Sequence, residues 1–301
     1  MDWMPEFSRL FSVVSVSFYA ATIALEALAA RFYLANARYR APDSFASMGM
    51  GVGYLLAGAV TSGMTFAVLS FVYKVRFFTM SPDSVWSWVA LFFLDDFCYY
   101  WFHRISHECR FWWASHVNHH SSEYYNLSTA VRQPWTGGIT GAWLAWAPLA
   151  LLGFPPEMIL IQQSINLFYQ FWIHTEVIHR MPHWFELVFN TPSHHRVHHA
   201  TNPRYLDRNY AGILMVWDRL FGTFSPELDE ERARYGIVHN LDSFNPLKIA
   251  FHEWLGIARD VAGARSLREA AGCIFGPPGW KQQQTAKHIR AAWEESRVGA
   301  E

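Results

Sequence analysis

Eight histidines stand in three short clusters whose spacing could build a metal site. The clusters are His103 with His107, then His116, His119 and His120, and then His195, His198 and His199. Within each cluster the later members follow the first by three or four positions, and such positions share one face of an α-helix. Each cluster is therefore expected to direct two or three imidazoles at one point. Because eight imidazole nitrogens exceed what one ion can bind, the pattern predicts two metal ions, and iron, zinc, copper and nickel all suit imidazole.

A simpler interpretation is that these are core or interfacial histidines satisfied by hydrogen bonds. That interpretation would suffice for a single histidine, but it does not explain why three clusters repeat a spacing that places their histidines on one helical face. The three cysteines are scattered, so neither a disulfide framework nor a cysteine-completed zinc site is predicted. His174 adds a ninth imidazole. His179 and His183 are expected at the surface, and His194 points off the ligand face of its cluster, which leaves open whether His179 or His194 joins the site.

A polar stripe leads along one helical face into the first cluster. Asp96, Tyr100, His103 and His107 fall at positions i, i+4, i+7 and i+11. An ionisable residue within an apolar helix is costly and usually functional. We therefore expect Asp96 to accept the second ring N–H of a metal-binding histidine and to fix its tautomer. The alternative is that the carboxylate pairs with arginine or tyrosine and has only a structural role. For Asp95 the functional and the structural interpretations are equally favoured, whereas for Asp96 the functional one is preferred.

Apolar segments must position these clusters. Hydrophobic residues make up 51% of the 301 residues and charged residues 16%, against about 25% in globular proteins, so part of the chain is expected to face lipid. Five stretches approach the roughly 20 apolar residues that cross a bilayer, at about 10–28, 48–73, 85–102, 139–152 and 158–173. The last two flank the turn at 153–156 and predict a helical hairpin. The sequence predicts an all-α integral membrane protein with four to five membrane helices.

The hairpin and the loop charges predict which side of the membrane carries the histidines. Prolines at the turn end the first helix of the hairpin, and so short a turn cannot itself cross a bilayer. Both outer ends of the hairpin therefore lie on one side of the membrane, and His174 emerges on the same side as the three clusters. The first loop contains more basic residues than the second, with Arg31, Arg38 and Arg40 against Lys74 and Arg76. This positive-inside bias predicts a cytoplasmic histidine side, in the inner membrane of a bacterium or the endoplasmic reticulum of a eukaryote.

We expect one domain over residues 1–301, with a motif region at 95–224 and a soluble helical tail at 225–301. The net charge of −1 gives no reason to expect a nucleic acid partner. A histidine-rich metal transporter would need ligands within several spans, whereas these clusters follow the spans on one side. A zinc protease of the HExxH type is not predicted, because Cys, Arg and Phe follow His107-Glu108.

Three ordered pieces of the chain resemble a known family. They are the run from Asp95 to Gln133, the segment FWIHTEVIH and the run from Asn190 to Phe224. They are similar to the fatty acid hydroxylase and sterol desaturase superfamily, and most closely to alkylglycerol monooxygenases and related bacterial proteins. The resemblance implies membrane helices under a cytoplasmic, histidine-rich helical cap that holds a di-iron centre, with the eight clustered histidines and His174 as metal ligands.

The resemblance also marks polar positions around the expected centre. Glu123, Asn126, Arg132, Asn209 and Asp218 match motif positions, and helix capping or structural hydrogen bonding explains each equally well. The candidates for supporting the metal ligands are Asp96, Tyr100, Glu123, Asn126 and Glu176.

The implied function is O2-dependent oxidation of a lipid C–H bond by two iron ions, most closely the hydroxylation of an ether lipid. The alternatives that use the same centre are a sterol desaturase, a sterol methyl oxidase and a fatty acid hydroxylase. No HPGG-like haem-binding motif occurs, so electrons are expected from outside, through a pterin, a ferredoxin or a separate haem protein. The lipid is expected to enter from the bilayer, and the sequence assigns no oligomeric state.

Overall fold

The computed structural model describes residues 3–33 and 38–283. These residues form α-helices and a 3-10 helix, and their only β pairings are isolated bridges between Phe189 and Leu214 and between Leu228 and Glu231. The predicted all-α class is confirmed. The end of the predicted tail, from residue 284 onward, lies outside the described residues.

The helices follow one another in a simple order. The first five are α1 Trp3–Phe32, α2 Ala41–Tyr73, α3 Val85–Glu108, α4 Arg110–His120 and α5 Leu127–Ala130. A 3-10 helix at Ala142–Trp146 leads into α6 Ala147–Leu152 and α7 Pro156–Trp172. The remainder are α8 His183–Val188, α9 Pro192–His198, α10 Val216–Leu220, α11 Pro246–Ala262 and α12 Leu267–Phe275.

Two of the described helices, α1 and α2, are long and apolar enough to cross a membrane. Their 30 and 33 residues correspond to about 45 and 50 Å at the usual helical rise. Many of their side chains are apolar and exposed, including Leu10, Leu25 and Val60 at 61%, 65% and 82%. Such a surface suits hydrocarbon better than water.

The other three predicted spans are helical but do not meet the same criterion. α3 carries Asp95 and Asp96 in its middle. The helical segment 142–152 and the 17 residues of α7 reach about 19 and 26 Å, less than the roughly 30 Å of a hydrocarbon core. The total of four to five spans therefore stays a prediction.

The predicted hairpin is present, and its turn stands at the opposite end of α7 from His174. Gly153 ends α6 with φ of 110°, and a Cβ there would stand 2.2 Å from the carbonyl oxygen of Phe78, so the turn requires glycine. Phe77 and Met80, just after α2, donate backbone hydrogen bonds to the oxygens of Leu151 and Gly153 at 2.8 and 2.9 Å. The outer end of α7 consequently returns toward the start of α2.

α3 lies at the centre of the bundle and packs against α4, α7 and the 3-10 helix. Leu91 of α3 belongs to a buried cluster that includes Leu69, Leu149 and Met158. α11 and α12 cover α4 from the other side. This packing fixes α3 and α4, the two helices that carry five of the clustered histidines.

Candidate metal centre

Four segments bring imidazoles into one buried region. α3 supplies the first cluster, α4 the second, α9 and its C-cap residue the third, and His174 follows the end of α7. Thr191 begins α9 by accepting a hydrogen bond from the backbone N–H of His194 at 3.5 Å, and Pro192 occupies the first helical position. These features start α9 at a defined residue and so set the direction in which its histidines point.

The nine predicted imidazoles form two groups. We call His103, His107, His116, His120 and His198 group one, and His119, His174, His195 and His199 group two. Within each group, one nitrogen of every ring lies within 4.8 Å of those of the others. The groups touch, since the ring centroids of His120 and His199 are 4.3 Å apart. The expected convergence of all nine rings is therefore found.

The sequence clusters do not map onto single points, and that expectation is wrong for α4 and α9. His116 and His120 of α4 enter group one while His119 enters group two. In α9 and its cap, His198 enters group one, whereas the remaining two histidines enter group two. The reason is the 100° between successive helical residues, which turns neighbouring positions toward different points.

Backbone carbonyls fix the orientation of several rings. The Nδ1 atoms of His174, His103 and His198 lie 2.7, 2.8 and 3.0 Å from the carbonyl oxygens of Gln170, Tyr210 and Arg208. A fourth pair joins Nδ1 of His119 to the Arg132 oxygen at 3.3 Å. Because a carbonyl only accepts, Nδ1 carries the proton in each neutral ring, and Nε2 presents a lone pair.

These lone pairs face one another at distances that suit a shared cation. The Nε2 atoms of His119 and His174 are 3.1 Å apart, and both rings have their proton on Nδ1. Other Nε2 pairs in the groups lie 2.9 to 3.2 Å apart. Two nitrogens at about 2.1 Å from an ion and at a right angle are about 3.0 Å apart. The donor set therefore fits a metal ion in each group.

Burial keeps the rings in their metal-binding form. Burial is the main cause that lowers the pKa of His119 to about 4. It likewise lowers the pKa values of His195 and His199 well below the usual 6.5. Nε2 of His107 and of His198 is buried without a hydrogen-bond partner among the described residues, as expected of nitrogens that bind metal. Neutral imidazole is the form that metal ions require.

The expected contact between Asp96 and a histidine is wrong. Within the described part of the chain, its carboxylate accepts hydrogen bonds from the backbone N–H groups of Ile213 and Leu214 at 2.8 and 3.0 Å. Asp96 holds the loop that follows α9 instead. That loop contains Tyr210, whose carbonyl accepts from His103, so Asp96 supports the ring indirectly.

The other four supporting candidates form no hydrogen bond with a histidine of either group in the described residues. The Tyr100 hydroxyl pairs with Thr223 at 2.9 Å. Glu123 is exposed, and Asn126 caps α5 through the backbone N–H of Ser128 at 3.1 Å. Glu176 accepts a hydrogen bond from Tyr235 at 3.3 Å. Asn126 is therefore a helix-capping residue, which is the alternative given for it above.

The remaining motif positions and the unassigned histidines are also placed. Asp218 accepts hydrogen bonds from the backbone N–H groups of Tyr210 and Ala211, both at 2.8 Å, so it holds the same loop as Asp96. Asn209 adopts a φ of 57° and bonds the backbone of Ser225. His194 is buried against Phe224 and belongs to neither group. His179 and His183 are exposed, as expected.

Sequence reasoning missed a buried ion pair that supports group two. Asp43, in the first turn of α2, accepts from the Arg132 guanidinium at 3.1 Å, and both side chains are almost fully buried. Arg132 also provides the carbonyl that accepts from His119. An acidic residue at the start of an otherwise apolar helix was the available signal.

Comparisons with known proteins agree with this site. Residues 88–223 match the sequence profile of the fatty acid hydroxylase family. Alkylglycerol monooxygenase of Homo sapiens is 41% identical over 242 residues, which cover 80% of this chain and 53% of that protein. The same enzyme of Danio rerio is 44% identical over 205 residues, covering 68% of this chain and 45% of the relative.

A more distant relative, an ornithine lipid hydroxylase of Rhizobium tropici, is 31% identical over 44% of this chain and 39% of its own length. The chain spans about half the length of the alkylglycerol monooxygenases it matches. No solved structure matches it.

Proposed function

Because the chain belongs to the fatty acid hydroxylase family, we propose that it is a membrane di-iron oxygenase that hydroxylates an ether lipid, as its relatives' name of alkylglycerol monooxygenase indicates for them. The observation that carries the proposal is the pair of buried imidazole groups, one of five rings and one of four. A purely structural site rarely needs so many neutral nitrogens around two points.

Two iron ions at these groups would supply the activation of O2 needed to attack an unactivated C–H bond. The overall reaction consumes the lipid, O2, two electrons and two protons, and yields the hydroxylated lipid and water. Hydroxylation of the carbon beside an ether oxygen gives a hemiacetal, which separates into an aldehyde and an alcohol. The contribution of the chain itself would be to gather nine rings, four of them oriented by hydrogen bonds from Nδ1 to backbone carbonyls, and to exclude water from the centre.

The lipid would reach the centre from the bilayer that surrounds α1 and α2. The basic first loop supports a cytoplasmic centre, because its Arg38 carbonyl accepts from Asn126 at 2.8 Å and the adjacent Tyr125 ring packs against His174 and His199. An external reductant, such as a pterin, a ferredoxin or a haem protein, would supply the electrons. We propose this donor as a separate partner.

Metal analysis of the purified protein tests the proposal. We expect two irons per chain in the parent, and loss of iron together with loss of lipid oxidation in His119→Ala and in His198→Ala. His183→Ala changes an exposed histidine and should behave as the parent. Full lipid oxidation by protein stripped of iron would overturn the proposal, whereas zinc bound by overproduced protein would not, since availability decides which ion is taken up.

Lipid extracts from cells with and without the gene test the substrate class. Loss of ether lipid with release of fatty aldehyde supports the proposal. A change confined to sterols, or to hydroxylated acyl chains, would assign the centre to one of the other reactions of the family.

A further inference from the structure

An exposed apolar stripe runs along α11. Leu247, Phe251 and Leu255 recur at every fourth position and are 61%, 39% and 61% exposed. The opposite face is buried through Ile249 and Ile257. A helix on the surface of a water-soluble domain normally turns polar residues outward. Because α11 is apolar on both faces, its outward face requires a partner of its own.

Basic side chains border the stripe on one side. At 100° per residue, Lys248 and Arg259 project from the helix just beyond Leu255, and both are exposed. Their own hydrogen bonds go to the carbonyl oxygens of Leu241 and Leu255 at 2.7 and 3.2 Å, and within residues 38–283 neither cation forms an ion pair. Apolar residues beside lysine and arginine are the pattern of helices that lie in a membrane surface. The cations would face anionic headgroups.

α11 lies where such a surface is expected. Its Ile249 and Ala250 pack against Ala46 and Met50, in the second and third turns of α2. Phe45 on the same part of α2 is 68% exposed. α11 therefore packs beside the beginning of a helix that is long enough to cross the membrane and is itself apolar and exposed there.

We propose that α11 lies in the membrane surface on the histidine side, with its apolar stripe among the acyl chains and Lys248 and Arg259 at anionic headgroups. The helix also holds α4, since Glu253 and Asp260 bind the Arg110 guanidinium at 2.6 and 2.7 Å. Seating α11 in the interface therefore sets the depth of both imidazole groups relative to the lipid. This function of α11 is independent of the chemistry at those groups.

Spin-label accessibility in lipid nanodiscs tests the proposal. Nitroxide labels would be attached to Phe251→Cys and Leu255→Cys, and the signal of the parent, with Cys98, Cys109 and Cys273, would be subtracted. Val60→Cys provides a lipid-facing reference on α2, and Glu230→Cys provides a water-facing one. We expect both α11 labels to favour oxygen over a water-soluble nickel complex, as the Val60 label does.

Nickel accessibility equal to that of the Glu230 label would overturn the proposal. Low accessibility to both reagents would also overturn it, because the stripe would then be covered by protein, either a second copy or residues 284–301. The basic border has its own test. When neutral lipid is replaced by anionic lipid, the Leu255 label of the parent should become more buried. In Lys248→Gln/Arg259→Gln this increase in burial should be at least twofold smaller. An increase equal to that of the parent would refute a headgroup role for the two cations.

Discussion

The buried pair of Asp43 and Arg132 offers a sharp test of how the fold supports group two. The exposed fractions of the two side chains are 2% and 1%, and the guanidinium lies 3.1 Å from the carboxylate. Asp43→Asn preserves the shape but removes the negative charge. The buried guanidinium then has no counter-ion, although its bonds to the Asn118 carbonyl and to Ser121 remain. Arginine cannot relieve this by losing its proton.

The expected loss is large because the pair is buried. Removing one partner of a buried ion pair costs about 3–5 kcal/mol in the free energy of unfolding. We expect the lower end, about 3 kcal/mol, since the asparagine oxygen can still accept from Ser122, which now donates to Asp43 at 2.6 Å. Asp43→Asn/Arg132→Met should be less destabilised than the single variant, because neither charge is then left alone.

Denaturant titration of the metal-free protein in detergent measures this loss. Asp83→Asn is the matched control, because Asp83 is exposed and its change should stay within about 0.5 kcal/mol. Asp43→Asn should also bind less iron in group two, since Arg132 presents the carbonyl that orients His119. Equal unfolding midpoints for Asp43→Asn and Asp83→Asn would refute the argument, as would a double variant whose free energy of unfolding is lower than that of Asp43→Asn.

Three further outcomes are expected. His198→Ala should reduce iron binding at group one more than at group two, and His119→Ala should do the reverse. Mössbauer spectra of protein loaded with 57Fe would measure the occupancy of each position. Gly212→Ala should lower iron content, because a Cβ would lie 2.7 Å from Asn166 and 3.0 Å from Asp96; unchanged iron would contradict the role of that loop. Metal-free protein should lose stability as pH falls from 6.5 toward 4, because burial depresses the pKa of His119 to about 4 and the unfolded chain then binds more protons. A flat pH profile in denaturant titrations would refute this.

The convergence of the histidines was predictable because part of its information is local. Positions three and four apart share a helical face, so spacing alone indicated all eight cluster members as candidate ligands, and the resemblance added weight to His174. Their support was not predictable. The carbonyls of Gln170, Arg132, Tyr210 and Arg208 have no sequence signature, because every residue has a carbonyl and only tertiary packing decides which one meets a ring.

Hydropathy predicted where helices form better than it predicted what surrounds them. All five apolar stretches contain helix, but residues 139–141 lie before the 3-10 helix, and α3 extends to Glu108, beyond the predicted end near 102. The surroundings of α3 were harder to predict, because its apolar residues serve two different purposes. Leu91 faces the protein core, whereas Phe93 is 49% exposed, and composition cannot separate burial in protein from contact with lipid.

The way the rings divide between the groups explains how the spacing of two ions can be held rigid. α4 gives the pair His116 and His120 to group one and the single His119 to group two, while the last residues of α9 give one ring to group one and two to group two. Each of these segments therefore contributes rings to both groups. A shift of either helix would move rings of both groups together, so the spacing of two ions held there would depend on helical geometry rather than on loops. The bonds from α11 to Arg110 at the start of α4 consequently bear on both positions at once.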